Sequence, residues 1–393
     1  MDDLKFSVVI PYKQRLESIR LVLSALAEQT MDPSGFEVLI GAMEYSPEYV
    51  STCGEFTDRL TILSVLSAAP WNLNMARNLA MRHARGQVTL IMDADMVLPT
   101  RFLENLYERY YVHGQNVCVA GQMIGYDEEV ETDVEHVEHA PFSHYREVLA
   151  RFEAQDRVVE DERWTAEHTT AFRRFPWVYA RGGLVAIPTA TVRQHDLTFD
   201  EGFQGWGPED QEWALRISLT GTPIMLGEDV YGLHLPHLRS VSDNGRTAQI
   251  NNRYYLAKWP RLELELALAF GWTETAEALP EVRRELDAAV RGPDYSLGAV
   301  IGTASGSSLL VLGAAIDPST QRPAPDVAAQ FDTHAELTVL PLAGFALPYP
   351  DGHVDECRVL PPVAELSDRL QDAVLREAER VANTVAILGK DGH

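Results

Sequence analysis

The chemistry this chain can offer is concentrated in three short segments. Asp93-Ala94-Asp95 stands at the end of the apolar run Val88–Met92. Two carboxylates on the rigid end of a buried strand are hard oxygen ligands suited to Mg²⁺ or Mn²⁺ bridging phosphate oxygens, and leaving them without partners there would be unfavourable. The second segment, FDEGFQGWGPEDQEWALR, occupies residues 199–216. Gly205 and Gly207 flank Trp206, so backbone can approach a ligand while the indole offers a flat apolar face to a sugar ring. Pro208-Glu209-Asp210 then suits a helix start, where proline and acids are favoured. The same two acids also suit a pair in which one orients a hydroxyl and the other removes its proton. The third segment is His234-Leu235-Pro236-His237, whose imidazoles are nitrogen ligands better matched to Mn²⁺ than to Ca²⁺. His234 is the preferred ligand, and the proline between the two argues against both binding one ion from a helix.

Positioning these groups requires an α/β framework. Residues 6–10 (FSVVI) read as a buried strand ended by Pro11, followed by helical spacing at Leu16, Ile19, Leu23 and Leu26. Residues 36–42 and 60–66 are further strands, and 75–84 predicts a helix closed by Gly86 before the strand 88–92. This alternation predicts a largely parallel sheet flanked by helices. Pro11-Tyr12-Lys13, Glu44 and Asp93-Ala94-Asp95 then fall at carboxyl ends of strands, where such sheets gather ligands. The charged stretch 127–180, with a helix near 143–152, reads as a surface insertion, either a solvated excursion or a lid or acceptor-specificity element.

Composition narrows the function. A net charge of −25 argues against nucleic acid or an anionic membrane as the main partner, yet one metal ion and a few arginines can reverse the field locally. Cys53, Cys118 and Cys357 lack metal-ligand spacing and are too few for a disulfide framework, which fits a reducing compartment. The opening MDDLKFSVVIPY shows neither a signal peptide nor a membrane anchor, so a cytoplasmic protein without membrane insertion is expected.

Residues 1–258 resemble GT-A-fold glycosyltransferases of the family 2 and family 7 type, including galactosyltransferases and chondroitin polymerases. The resemblance lies in SVVIPYKQRLESIRLVLSAL, NMARNLAMRHARGQVTLIMDADMVLP, ARGGLVAI, FDEGFQGWGPEDQEWALR and HLPH, in that order. It implies a metal-dependent transfer from a nucleotide sugar, with UDP the preferred carrier, to a glycan, peptide or small natural product. Pro11, Tyr12, Lys13 and Arg15 would contact the nucleotide, as would Glu44, where the family often has aspartate. Arg77 and Asn78 would serve the donor site, with Gly182 and Gly183 beside the donor sugar. Asp95 would bind Mn²⁺ or Mg²⁺ with His234 or His237, and Asp93 would lie near the ribose or metal-bound water. Trp206 would stack on sugar, Glu209 would bind the acceptor and Asp210 would be the general base of an inverting reaction. A retaining N-acetylgalactosaminyltransferase-like enzyme and a non-catalytic nucleotide-sugar-binding scaffold are the alternatives.

Residues 259–294 read as a helical linker, and 295–393 as a smaller α/β domain. LPYPDGHVDECRVLPPVAEL and VLREAERVA resemble the later half of class I S-adenosylmethionine methyltransferases. The strand at 307–316 lacks their glycine-rich turn, since Gly313 is followed by Ala314-Ala315. The expectation is a degenerate Rossmann-like domain used for packing, acceptor docking or homo-oligomerisation.

Overall fold

The computed structural model describes residues 4–125, 137–155, 157–238, 240–290 and 294–389. Part of the acidic insertion, 126–136, lies outside the described residues. The chain divides into two compact units, Met1–Asn251 and Asn252–His393.

The first unit is built on an eight-stranded mixed sheet of order β3-β2-β1-β4-β7-β6-β8-β5. Its strands are β1 (Phe6–Tyr12), β2 (Phe36–Ala42), β3 (Ile62–Leu66), β4 (Val88–Met92), β5 (Met96–Val97), β6 (Cys118–Ile124), β7 (Leu184–Pro188) and β8 (Ile224–His234). Every residue of β1, β2 and β4 is buried, as their unbroken apolar runs require of strands covered on both faces. β3, β2, β1 and β4 are mutually parallel, and β7 reverses direction against β4 and β6. The core centres on Phe6, Val8, Ile10, Val38, Ile40, Leu90, Met92 and the helix residues Ile19, Leu23 and Leu26.

Two boundaries differ from those read in the sequence. β1 runs through Pro11 to Tyr12, because its pairing with β4 ends at Val9 and the missing proline N–H falls beyond that ladder. The helix expected at 75–84 is Leu73–Met81, since Asn72 accepts a hydrogen bond from the Met75 N–H and caps it earlier. The insertion helix is Phe142–Glu153.

The second unit carries a sheet of order β12-β9-β10-β13-β14, with β11 pairing β10. Its strands are β9 (Ser296–Ala304), β10 (Ser307–Asp317), β11 (Arg322–Pro323), β12 (Thr338–Leu340), β13 (Val354–Val359) and β14 (Ala382–Ile387). β9 and β10 form an antiparallel hairpin, and β13 and β14 add in parallel, joined by the helix Asp368–Val381. Gly313 takes φ +71° at an irregularity in that hairpin, a conformation that favours glycine. The cysteines are all unpaired. Among the described residues, no helix is long and apolar enough to cross a membrane.

Candidate active site

β4 delivers the acidic tripeptide, and the short strand after it holds that tripeptide in place. Immediately after Asp95 the chain enters β5, where Met96 pairs with His234 and Val97 with Leu233. The Leu235 N–H donates to the Asp95 carbonyl at 2.8 Å. This two-residue ladder lays the end of β8 beside the acidic turn. Asp95, His234 and His237 each bring a ligand atom within 4.8 Å of the others. His234 Nε2 stands 3.7 Å and His237 Nδ1 3.4 Å from the Asp95 carboxylate. His234 comes from the strand end and His237 from the loop after it, so the proline between them does not keep them apart.

The Asp95 carboxylate is buried, and its Oδ1 accepts no hydrogen bond. Burial alone would push this carboxyl up, but Arg15, His234 and His237 hold it below the ordinary aspartate range. Arg15 donates to its Oδ2. A buried oxygen without a hydrogen bond, beside two imidazoles, fits a divalent ion of the Mn²⁺ type.

Arg77 joins this half of the site to the other. Its guanidinium reaches Asp93 at 3.2 Å and Glu209 at 3.2 Å, and lies over the Phe199 ring at 4.8 Å. Gly182 is packed against it, where a Cβ would come within 2.8 Å of Nη2. Burial opposes its charge, but Asp93, Glu209 and Asp210 raise its pKa and keep it a cation. Glu209 is pushed up to about 7, first by burial and then by the neighbouring Asp210, with Arg77 pulling the other way. Asp210 accepts from the Gly182 N–H at 3.1 Å and from the Gln211 N–H at 2.7 Å. The Asp93 N–H donates to the Gly183 carbonyl at 3.1 Å, so the glycine pair spans the space between Asp93 and Asp210.

Three positions that the resemblance assigns to the donor are turned inward. Tyr12 is 1% exposed and stacks on Tyr49 at 4.2 Å between ring centroids. Arg77 and Asn78 are each 2% exposed. Asn78 donates to the Phe199 carbonyl and the Glu201 carboxylate and accepts from the Phe199 N–H. The Asn78 amide is thus committed to protein neighbours, and the Arg77 guanidinium to Asp93 and Glu209, with its Nε left without a hydrogen bond. Lys13, Arg15 and Glu44 are partly exposed, and Glu44 accepts from the Gln14 N–H at 2.7 Å. Pro11 is buried at the end of β1, and Trp206 is 50% exposed.

The sequence reading missed Trp71, whose ring lies 5.9 Å from Lys13 Nζ. It also missed the buried Asp161–Arg163 pair. Asp161 accepts from the Met123 N–H, and Arg163 donates to the carbonyls of Gly121 and Tyr179. The only sequence signal for that pair was an acid and an arginine two apart in a charged stretch, indistinguishable there from a solvated run.

Residues 7–178 match the family described as Glycosyl transferase family 2. The chain carries a glycosyl transferase family 2 domain. The matched span holds Pro11 to Asp95 and ends before Gly182, Trp206, Glu209, Asp210 and the histidines. Among curated relatives, a validoxylamine A glucosyltransferase of Streptomyces hygroscopicus subsp. limoneus is 25% identical, over 68% of this chain and 61% of that protein. The chain therefore spans less than two thirds of that relative's length. A validoxylamine A glucosyltransferase of S. hygroscopicus subsp. jinggangensis is 23% identical over 96% of both chains. The chondroitin synthase of Escherichia coli is 26% identical over 62% of this chain and 37% of its own. A solved mannosyltransferase of Pyrobaculum calidifontis superposes with a TM-score of 0.47 at 18% identity, over 73% of this chain and 76% of that one.

Proposed function

We propose that this chain is a divalent-metal-dependent glycosyltransferase. It takes a glycosyl group from a nucleoside diphosphate sugar, UDP-glucose being the first candidate, and passes it with inversion to a hydroxyl of a small polyhydroxylated acceptor. The observation that carries this reading is the Arg77 bridge. It ties the donor-side Asp93, next to the Asp95–His234–His237 cluster, to the Glu209-Asp210 pair at the start of the helix Glu209–Leu219. A small acceptor is favoured because the similarity to a validoxylamine A glucosyltransferase extends over 96% of both chains, second unit included.

Asp95, His234 and His237 would hold Mn²⁺ or Mg²⁺. When bound, such an ion supplies positive charge to the departing diphosphate. Lys13, Arg15 and Glu44 line the donor side, with the backbone of Gly182 and Gly183 beside the donor sugar. Trp206 offers a stacking face to the acceptor. Asp210 removes the proton of the attacking hydroxyl, whose oxygen forms the new bond to the anomeric carbon as the bond to the diphosphate breaks. The diphosphate leaves with that electron pair. Glu209, near neutrality in its titration, supplies a carboxyl that can donate to or accept from an acceptor oxygen.

The test is calorimetric titration of UDP with and without Mn²⁺, on wild type and on Asp95→Ala, followed by transfer assays from UDP-glucose to validoxylamine A. Manganese-dependent binding that disappears in the variant, and a product of inverted anomeric configuration by proton NMR, are expected. Retained configuration would replace the single displacement by the retaining alternative. UDP binding without turnover on any acceptor would leave the scaffold reading.

A further inference from the structure

Trp206 sits on a turn with little structure of its own. Gly205 and Gly207 on either side adopt φ +76° and +51°, and Trp206 itself is half exposed. The groups that fix this turn come from later in the chain, on the helix Val241–Lys258. Asn251 is 2% exposed. Its two amide protons are shared among the carbonyls of Gln204 (2.9 Å), Trp206 (3.2 Å) and Gly207 (2.7 Å), and its Oδ1 accepts from the Gln204 N–H at 3.2 Å. One helical turn earlier, the Thr247 hydroxyl accepts from the Trp206 N–H at 3.2 Å. The Thr247 methyl fills the space over Gly205, where a Cβ would come within 2.7 Å.

We propose that Thr247 and Asn251 are positioning residues that hold Trp206 as the acceptor platform. The proposal rests on the acceptor role given to Trp206 above. A glycine-flanked turn left to itself samples many backbone states, and a stacking ring on it would lose affinity to the entropy of ordering. Side chains one turn apart on a helix satisfy several of the turn's backbone groups at once and remove that freedom before the acceptor arrives. Their contacts lie on residues 204–207 and not on Asp93, Asp95 or Arg77, so the donor half stays outside their reach.

The experiment compares Thr247→Val, which keeps the shape and removes the hydroxyl, with Thr247→Ser and Asn251→Ala. Three readouts are taken: the KM of validoxylamine A against kcat with UDP-glucose and Mn²⁺, the hydrolysis of UDP-glucose without acceptor, and amide hydrogen exchange over residues 203–208. For Thr247→Val the acceptor KM should rise about tenfold, as the loss of one hydrogen bond to a backbone group predicts, and for Asn251→Ala it should rise further. Exchange over the turn should quicken, donor hydrolysis should hold its wild-type rate, and Thr247→Ser should restore the wild-type KM. An unchanged KM and unchanged exchange in both damaging variants would overturn the proposal. So would a fall in donor hydrolysis parallel to the loss of transfer, which marks a general structural role. Wild-type enzyme that neither hydrolyses nor transfers from a panel of UDP- and GDP-sugars overturns the transferase reading itself, a failure visible before any variant is made.

Discussion

Each unit of this protein holds a buried glutamate that is pushed up to about 7. The surroundings of the two are opposite. Glu209 owes its shift to burial and to a second acid, Asp210, with the Arg77 guanidinium opposing. Glu265, in the second unit, owes its shift to burial alone. It accepts from the N–H groups of Ala343 (3.0 Å), Gly344 (2.6 Å) and Phe345 (2.8 Å), which pull the other way. Glu265 is a carboxylate clamped by one loop's backbone, and its acceptor capacity is spent. Glu209 shares its cation with Asp93 and stands next to a partly exposed acid. A raised carboxyl is therefore no mark of a site by itself. The chemistry lies in whether its neighbours are side chains open to a ligand or amides closed on a fold.

The comparison breaks most sharply at Asp210. Asp210→Asn should lower the rate of transfer by about 10²–10⁴ with the circular dichroism spectrum unchanged, the usual range for loss of a general base. Glu265→Gln should leave the transfer rate within a few-fold of wild type. Equal losses in the two variants would erase the distinction.

Arg77→Met comes next. It removes the cation from between two buried or half-buried acids and should lower the stability of the first unit by about 3–5 kcal/mol in denaturant titration. Arg77→Lys keeps the charge without the fork that spans both carboxylates, and should fall between the two. Wild-type stability in Arg77→Met would show that Asp93 and Glu209 find other partners.

The smallest effect sharpens the comparison through pH. Both glutamates bind their proton more tightly folded than unfolded. Their contribution to stability is thus fully present below about 4.5 and is lost as the pH rises through about 7. For Glu265 the shift amounts to at most on the order of 3 kcal/mol. The stability of Glu265→Gln relative to wild type should therefore climb between these two pH values, whatever the starting offset. A flat difference across that window would mean that Glu265 is ionised throughout.

Much of the candidate donor half was legible in the sequence, because its logic is local. A buried strand is an unbroken apolar run, its carboxyl end is where ligands gather, and an acidic pair there has few structural excuses. That logic alone leads to β4 and Asp93-Ala94-Asp95. The cap at Asn72 is equally local, and it starts the helix Leu73–Met81 earlier than the apolar spacing alone suggests. The surface insertion was harder, since Asp161 and Arg163 look like any charged run until the fold buries them together.

The sequence by itself determined the alternating α/β framework of the first unit, the identity of the acids, the tryptophan and the histidines, and the chemistry their types allow. Only the tertiary structure decided which of them meet. The β5–β8 ladder brings His234 and His237 to Asp95, and Arg77 turns inward to join Asp93 with Glu209. Asn251 reaches back across the chain to hold the Trp206 turn. These are pairings between residues far apart in the chain, fixed by strand register and side-chain direction, and no local periodicity encodes them.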